Sequence, residues 1–304
     1  MCGARPGVSV CRMNRMTPLL RTEAVTLARF DHPPGEAHVD PVREASTRHS
    51  INFVEGGAFT VELEGMHHRL EPGSVFVTRR GMEFACRHDD ECPSDECLAV
   101  SFTDEAVDEL LTAGLAPLQP PHAHASPRTR FLRHRLATCG SGEGIRLELI
   151  AGALFESLGR VPAPPPGRGA LETTDVMQRM ARVAELIESD FARDLTLREL
   201  ASAAHMSTFH FARSFRACAG VPPHRYLTAV RLRHAARLLA QGASVTATCY
   251  DVGFATLGHF VTSFRRRFGV VPSAVRHGAG ASVIRAAVAS PLWSRPPHST
   301  ATPR

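Results

Sequence analysis

The sequence predicts a multi-domain fold of α and β type. We expect an antiparallel β-barrel followed by helices, and then an all-α domain of two similar units joined by a long helix. Short runs that mix β-branched and apolar residues fill the chain up to about residue 102. A run of Pro and Gly at 162–169 interrupts the sequence, and a fourteen-residue pattern occurs twice after it. Because 304 residues exceed one typical domain, two domains plus connecting segments are expected.

The first half predicts short strands separated by turns. Runs rich in β-branched and apolar residues lie at 51–54, 58–63, 74–78 and 97–102. The dipeptides Gly56-Gly57, Glu64-Gly65 and Pro72-Gly73 lie between these runs and favour tight turns. We therefore expect a flexible N-terminus at 1–20 and an antiparallel barrel or jelly roll at 21–103. Such a barrel offers a ligand cavity at its mouth, although a fold alone assigns no function.

Residues 104–160 predict a helical region for packing or dimerisation. Asp104 can cap a first helix at 104–118, and two more helical segments within 128–158 are separated by Gly140–Gly142. Within the last segment, an apolar stripe has helical spacing and comprises Leu147, Ile150, Ala151, Leu154 and Leu158. The stripe either packs on the barrel or pairs two subunits, and its spacing does not decide between them.

The two halves of the chain carry opposite charge. Residues 1–172 contain 18 Arg and 23 acidic residues, a net charge of −5, whereas residues 173–304 contain 17 Arg and 7 acidic residues, a net charge of +10. The change of sign coincides with a stiff Pro- and Gly-rich linker predicted at 161–172. A basic half of this kind indicates a polyanion as partner, although it can also be a solvated surface.

The fourteen-residue pattern starts at His210 and again at His259, 49 residues later. Both copies read His-Phe-x-x-Ser-Phe-Arg-x-x-x-Gly-Val-x-Pro. A period of this size marks a repeated supersecondary unit. In each copy the two Phe are expected to face inward, and Gly220 or Gly269 to end the helix in a left-handed conformation.

Each copy is preceded by signals for a shorter helix. Thr196-Leu-Arg-Glu199 is a capping-box sequence before a helix at 197–204, and Ser207 can cap the Arg-bearing helix after it. This order is that of a helix-turn-helix. A helix from Pro222 or Pro223 to about 241 would span ~28 Å and hold the two units over successive major grooves of DNA. The second unit is then expected to start at Ser244, with its basic helix at 256–268.

Residues 173–278 resemble the double helix-turn-helix DNA-binding domain of AraC/XylS-type transcription regulators. The segment 253–272, which reads G-F-A-T-L-G-H-F-V-T-S-F-R-R-R-F-G-V-V-P, is similar to that family's most recognisable segment. The first half resembles the family's cupin-like sensor domain through 54–57 and 70–73. The resemblance implies a bacterial regulator, such as an activator, that binds double-stranded DNA and RNA polymerase. It also implies control by a small effector or by homodimerisation through the N-terminal domain.

Eleven Arg and only two acidic residues lie between residues 197 and 277, a bias that attraction to phosphates explains better than packing does. The alternative is two packing units with Arg on their surface. The expected DNA-binding residues are Thr208, Phe209, Arg213 and Arg216 in the first unit and Thr256, Leu257, His259, Thr262, Arg265, Arg266 and Arg267 in the second. Gly258 and Val261 are also expected to face the groove.

The two units are hypothesised to divide their work. Arg213 would read bases in the first unit, whereas Arg265, Arg266 and Arg267 would hold phosphates in the second. Leu257 would be available for a thymine methyl group. Thr248 departs from the family, because a buried aliphatic residue is usual at its position.

A second candidate site is a Cys/His cluster in the first half. Cys86, His88, Cys92 and Cys97 are of the residue types that bind zinc or respond to oxidants. The alternative is buried thiols beside a solvated acidic loop. A metal- or redox-responsive sensor, or a metal-dependent cupin enzyme fused to a DNA anchor, is therefore the competing function, and no metal is assigned.

The remaining expectations concern location and the chain ends. The eight cysteines are dispersed, which favours a reducing cytoplasm over a disulfide scaffold. The sequence shows neither a signal peptide nor an apolar run of the ~20 residues that cross a membrane. No phosphate-binding loop or nucleophile motif is present, so neither an enzyme nor a cofactor is predicted. The tail at 279–304 is expected to be disordered.

Overall fold

A computed structural model describes residues 15–32, 42–88, 94–118, 122–159 and 174–275. The strands in this part are β1 (Arg15–Arg21), β2 (Val25–His32), β3 (Val42–Ala45), β4 (His49–Gly57), β5 (Phe59–Leu63), β6 (Met66–Leu70), β7 (Ser74–Thr78), β8 (Glu83–His88), β9 (Asp95–Phe102) and β10 (His122–His124). The helices are α1 (Asp104–Thr112), α2 (Pro127–Ala137), α3 (Gly144–Gly159), α4 (Thr174–Ser189), α5 (Leu197–Ala203), α6 (Thr208–Ala219), α7 (Pro223–Ala240), α8 (Val245–Asp251), α9 (Leu257–Phe268) and α10 (Pro272–Ala274). The predicted tail at 279–304 lies outside the described residues.

The strands form two antiparallel sheets. The larger has six strands in the order β1-β2-β9-β4-β7-β10, and the smaller has four in the order β3-β8-β5-β6. The predicted antiparallel β region is therefore confirmed, and the described strands form two open sheets without a closed barrel. β1 pairs with β2 from Arg15 onward, so this strand begins inside the segment predicted to be flexible.

Apolar alternation explains the sheet core. Phe59, Val61 and Leu63 alternate along β5 and are buried, whereas the two residues between them are half-buried. β4 ends at Gly57, which has a φ of +71°. A Cβ at this position would lie 2.0 Å from the carbonyl oxygen of Ser94, so the close approach of the two chains requires glycine.

The three helices that follow differ slightly from the prediction. The N-cap of α1 is Thr103, whose hydroxyl accepts a hydrogen bond from the amide of Ala106, and Asp104 is the first helical residue. The expected cap was therefore off by one residue, because Thr and Asp are both good caps. α1 also ends at Thr112 rather than at 118, and Gly114 follows with a positive φ. α2 and α3 are separated at 140–142 as expected.

The apolar stripe of α3 is buried within this chain. None of its five side chains is more than 7% exposed. These residues are Leu147, Ile150, Ala151, Leu154 and Leu158. Because the chain itself covers these side chains, the stripe is not available to pair two subunits. Of the two alternatives for the stripe, packing is the one that the structure supports.

The chain divides into two compact units. The first comprises Met1–Ser126, Leu136–Ala151 and Phe155–Ala163, and the second comprises Pro127–Arg135, Gly152–Leu154 and Pro164–Arg304. The sequence did not indicate that nine residues of α2 group with the second unit. The linker at 161–172 lies outside the described residues, so the predicted domain boundaries stay predictions. Among the described helices, none is both long and apolar enough to cross a membrane.

Candidate nucleic-acid interface

Two helix pairs of the second unit, α5–α6 and α8–α9, start with the same kind of cap. Thr196 and Glu199 form the predicted capping box at α5. The hydroxyl groups of Ser207, Ser244 and Thr256 accept hydrogen bonds from amides in the first turns of α6, α8 and α9. The sequence analysis placed Thr256 as the first residue of this helix. In the structure Thr256 is instead the N-cap, and α9 begins at Leu257. These caps fix where each helix begins.

The ends of α6 and α9 also match. Gly220 follows α6 with a φ of +78°, and Gly269 follows α9 with a φ of +74°. Both are left-handed C-caps, as predicted from the repeated pattern. α6 and α9 each contain twelve residues.

The repeated aromatic residues form the inward faces of these helices. Phe211 and Phe215 of α6 are fully buried, with ring centroids 5.5 Å apart. Phe260 and Phe264 of α9 are equally buried, with centroids 5.7 Å apart. Burial of the same two positions in both copies fixes which side of each helix faces solvent.

The outward faces carry the side chains predicted to bind DNA. Phe209 is 79% exposed and Leu257 is 37% exposed. The other exposed members of the predicted set are Thr208, Arg213, Arg216, Thr256, His259, Thr262, Arg265 and Arg266, and Arg267 is half-buried. Val261 was also expected to face the groove, but it is half-buried and packs against the core around α9 because it lies next to Phe260.

The outward faces of α6 and α9 are basic. α6 and α9 contain no Asp or Glu, and they carry two and three Arg respectively. The nearby Glu199 is occupied in the capping box, where hydrogen bonds from the backbone amide and hydroxyl of Thr196 lower the pKa of its carboxyl group. Exposed guanidinium groups on two matched helices can bind phosphates or the edges of guanine bases.

A short loop before α5 supports the second helix pair. Arg231 of α7 donates hydrogen bonds from Nε to the carbonyl of Phe191 and from Nη2 to that of Arg193, both at 2.7 Å. Gly253, in the turn between α8 and α9, approaches the same loop so closely that a Cβ would lie 2.6 Å from the carbonyl oxygen of Ala192. The ring of His234 stacks on Phe191 at 3.9 Å. Burial, together with Arg233 and Arg237, lowers the pKa of His234 to about 4.

A buried ionic network also holds the second unit together. The side chain of Arg135 in α2 is 2% exposed and donates from Nη1 to Oε1 of Glu188 at 3.0 Å and from Nη2 to Oε2 at 2.6 Å. Tyr226 of α7 donates its hydroxyl to Oε1 of Glu188 at 2.5 Å and accepts from Nη1 of Arg135 at 2.5 Å. Removal of one partner of such a buried pair costs about 3–5 kcal/mol.

The protonation states of this network follow from its geometry. Burial opposes ionisation of Glu188, but the charge of Arg135 and the hydrogen bonds from Arg135 and Tyr226 outweigh it and lower the pKa of the carboxyl group. Burial raises the pKa of the Tyr226 phenol, which therefore stays protonated and donates. Arg135 and Glu188 were not singled out from the sequence. The signal was available, because Arg135 shares a helix face with the buried Phe131 and Leu132.

Thr248 of α8 is fully buried, as the family resemblance implied for its position. Within the described part of the molecule, its hydroxyl group has no hydrogen-bond partner. The residue at the same distance from the N-cap in the first pair is Leu200, which is 3% exposed. The second pair therefore buries a polar atom where the first buries only carbon.

The Cys/His cluster is only partly within the described structure. Cys86 is half-buried, and Cys97 is 7% exposed and donates from Sγ to Oδ2 of Asp95 at 3.5 Å. Burial first, and then the Asp95 carboxylate, raise the pKa of the Cys97 thiol well above its usual value, which disfavours the thiolate that binds metals. Cys92 and the side chain of His88 lie outside the described part. Within that part, no group of three or more His, Cys, Asp or Glu is placed to hold a metal ion.

Comparisons with known proteins agree with this geometry. A family model described as a helix-turn-helix domain matches residues 200–278. The chain is 27% identical over 244 residues to the HTH-type transcriptional activator RhaS from Escherichia fergusonii, a similarity that covers 77% of this chain and 87% of that protein. The paired helices, their basic faces and these matches define a DNA-binding protein of the helix-turn-helix class.

Two solved structures are each similar to about a third of this chain. A probable AraC family transcriptional regulator from Rhodopseudomonas palustris is 33% identical, with a TM-score of 0.32, over 34% of this chain and 97% of that chain. The DNA-binding domain of AdpA, solved in complex with a target DNA, is 30% identical, with a TM-score of 0.33, over 34% of this chain and 95% of that chain. The sequence similarity of the helix-turn-helix part of the chain is thus to transcription regulators of the AraC type.

Proposed function

We propose that this transcription regulator reads DNA mainly with α6 and holds it with α9. The observation that supports this division is the difference between two outward faces built on the same inward pattern. The position that carries Arg213 in the first copy carries Thr262 in the second, and both side chains are exposed. Arg can make bidentate hydrogen bonds to guanine, whereas Thr offers one hydroxyl group. The second copy instead concentrates Arg265, Arg266 and Arg267 at the end of its helix.

The other predicted contacts fit the same proposal. Phe209 leaves most of its surface exposed to solvent and Leu257 leaves about a third of its surface exposed, and both can pack on thymine methyl groups. Arg216 and Arg265 occupy equivalent positions and are proposed to bind phosphates on either side. Thr208, Thr256 and His259 lie at the helix starts, where hydroxyl and ring N–H groups can donate to phosphates.

A binding titration on DNA selected from a random pool by the wild-type protein tests this proposal. Arg213→Ala should relax the base preference within one half of the site, with a loss of about 1–3 kcal/mol for the preferred base. Arg266→Ala should weaken all sequences alike and lower the salt slope by about 1. Arg179→Ala, which removes an exposed helix-surface ion pair with Asp175, is the control and should change neither property. Equal loss of selectivity in both test variants would refute the division of labour.

For the first unit, we propose a cupin-like sensor that responds to a small effector or forms a homodimer. The β region contains an apolar cluster that includes Val61 and Phe76. The partly buried side chains that pack against this cluster are Phe30, Met82, Phe84 and Cys86. Such side chains are suited to an apolar ligand. RNA polymerase is the proposed partner of the DNA-bound protein. The relatives named above are transcription regulators, which is consistent with the expectation that the protein is not an enzyme.

Repeating the DNA selection with and without candidate metabolites tests the sensor proposal. An effector should change the apparent DNA affinity and also raise the unfolding temperature of the protein. Sedimentation at several protein concentrations tests homodimerisation separately. If no metabolite changes DNA binding and the protein stays monomeric at all concentrations, the sensor proposal fails while the DNA-binding proposal stands.

A further inference from the structure

Nine residues of α2 belong to the same compact unit as the DNA-binding helices, although they precede the predicted linker. Two of their side chains make specific contacts in that unit. Arg135 binds Glu188 of α4 and Tyr226 of α7, as described above. At the other end of the segment, the Arg128 guanidinium lies against Gly220, where a Cβ would be only 2.2 Å from Nη1. Gly220 ends α6, the helix proposed to read bases.

Tyr226 connects this network to α6. Its hydroxyl binds Arg135 and Glu188, while its ring packs edge-on against the ring of Phe215 at 5.4 Å. Phe215 in turn contacts Phe211 in the same helix. Phe211, Phe215 and Tyr226 are all fully buried, so the position of Tyr226 constrains the inward face of α6.

The corresponding helix of the second pair has no such connection among the described residues. The inward face of α9 packs on the apolar cluster that includes Phe254 and Leu239, and the buried members of this cluster are apolar or thiol side chains. A change in the Arg135 network should therefore affect the first pair more than the second.

We infer that residues 127–135 of α2 are a positioning element for base reading, and that Arg135 acts through Tyr226 to hold α6 in its DNA-reading orientation. This inference rests on the proposed role of α6. Arg135 itself is a positioning residue, because its side chain is only 2% exposed and acts on α6 through Tyr226. Docking of this segment then becomes a condition for sequence-specific binding by the first pair.

The test uses the full chain and the DNA site selected by the wild-type protein. The half-site read by α6 is the one whose base changes lose their effect in Arg213→Ala. Tyr226→Phe removes only the hydroxyl group and keeps the ring on Phe215. We expect it to weaken binding about tenfold, because it removes hydrogen bonds to charged groups. The loss should appear as weaker discrimination within the α6 half-site, with discrimination in the other half-site unchanged.

A merely structural role would give a different result. General destabilisation lowers the fraction of protein that binds DNA, but it leaves the affinity and the base profile of the folded fraction unchanged. Active-fraction titration separates these two cases. Arg135→Met in combination with Glu188→Leu removes both members of the ion pair, and Arg233 then loses the attraction of Glu188. This second variant should lose the same discrimination. Unchanged affinity and profile in the folded fraction of both variants would overturn the inference.

Amide hydrogen exchange provides an independent measurement. Because coupling between two sites is reciprocal, DNA binding should slow exchange of the amides in 129–135 in the wild type and should slow it less in Tyr226→Phe. The absence of any slowing in the wild type would contradict the inference. If the wild type selected no DNA site at all, the proposed function itself would fail, which is a distinguishable outcome.

Discussion

The two helix-turn-helix copies have the same caps and buried rings but differ in the support of their turns. The ninth residue after the N-cap has a positive φ in both copies, with His205 in the first at +53° and Gly253 in the second at +87°. His205 is exposed, whereas Gly253 lies against the loop at Ala192. The comparison teaches that equivalent backbone turns tolerate different residues, because the surroundings and not the turn alone set the limit.

The largest effect should come from a Cβ in the second turn. Gly253→Ala introduces left-handed strain and a backbone contact of 2.6 Å, and should lower the free energy of unfolding by about 3 kcal/mol. His205→Gly is the matched variant in the first copy and should raise it by about 0.5 kcal/mol, because it relieves strain in an exposed turn. Denaturant unfolding measures both. Similar losses in both variants would show that the two turns are supported in the same way.

A smaller effect should follow a decrease in pH, because His234 of α7 stacks on the loop that supports the second copy. The pKa of His234 is lowered to about 4, from 6.5 in the unfolded chain, by burial, Arg233 and Arg237, with Glu188 opposing them. Between pH 4 and pH 6.5 the unfolded state therefore binds more protons than the folded state does. The contribution of neutral His234 to the free energy of unfolding is therefore fully present above about pH 6.5. It is lost as the pH decreases towards 4, by about 1–2 kcal/mol after allowance for solvent screening.

Unfolding measured at several pH values checks this expectation. His234→Gln should lose less stability than the wild type between pH 6.5 and 4, because the titrating ring is absent. His224→Gln, an exposed histidine on the same helix, should keep the wild-type slope. An unchanged slope in His234→Gln would assign the acid loss to carboxyl groups elsewhere.

The smallest effect concerns the buried polar atom of the second copy. Thr248→Val replaces an unpartnered hydroxyl by a methyl group of similar size and should raise the free energy of unfolding by about 1 kcal/mol. The denaturation midpoint should rise with an unchanged m value. Thr248→Ala removes the hydroxyl but also leaves a cavity, so it should give no gain. Destabilisation by Val would mean that the hydroxyl is satisfied in solution.

Local features of the second half were predictable from sequence. The cap at Thr196, the C-cap at Gly220 and the buried ring of Phe215 depend on neighbours within one or two helical turns, and all three are confirmed. The first-half prediction recovered the antiparallel strands but not their order, because β9 pairs between β2 and β4 through residues far apart in the chain.

Long-range contacts explain most of what the sequence did not reveal. Arg135 meets Glu188 across 53 positions and Tyr226 across 91 positions. No local pattern encodes a pairing at such a distance, although the apolar face of α2 could have marked Arg135 as buried. The predicted DNA contacts of Arg213 and Arg266 stay predictions, since side-chain exposure shows that they can reach a ligand but not which atoms they touch.

The contact between Arg135 and Glu188 has a practical consequence for chimeric regulators. The predicted linker at 161–172 is an obvious junction for exchanging the first half, but a chimera joined there would take Glu188 and Tyr226 from this protein and leave Arg135 behind. Its DNA-binding half would then contain a partly buried carboxylate without the arginine that pairs with it. A hybrid gene that keeps Pro127–Arg135 of this chain, or that restores an arginine at the equivalent position of the donated module, would preserve the pair.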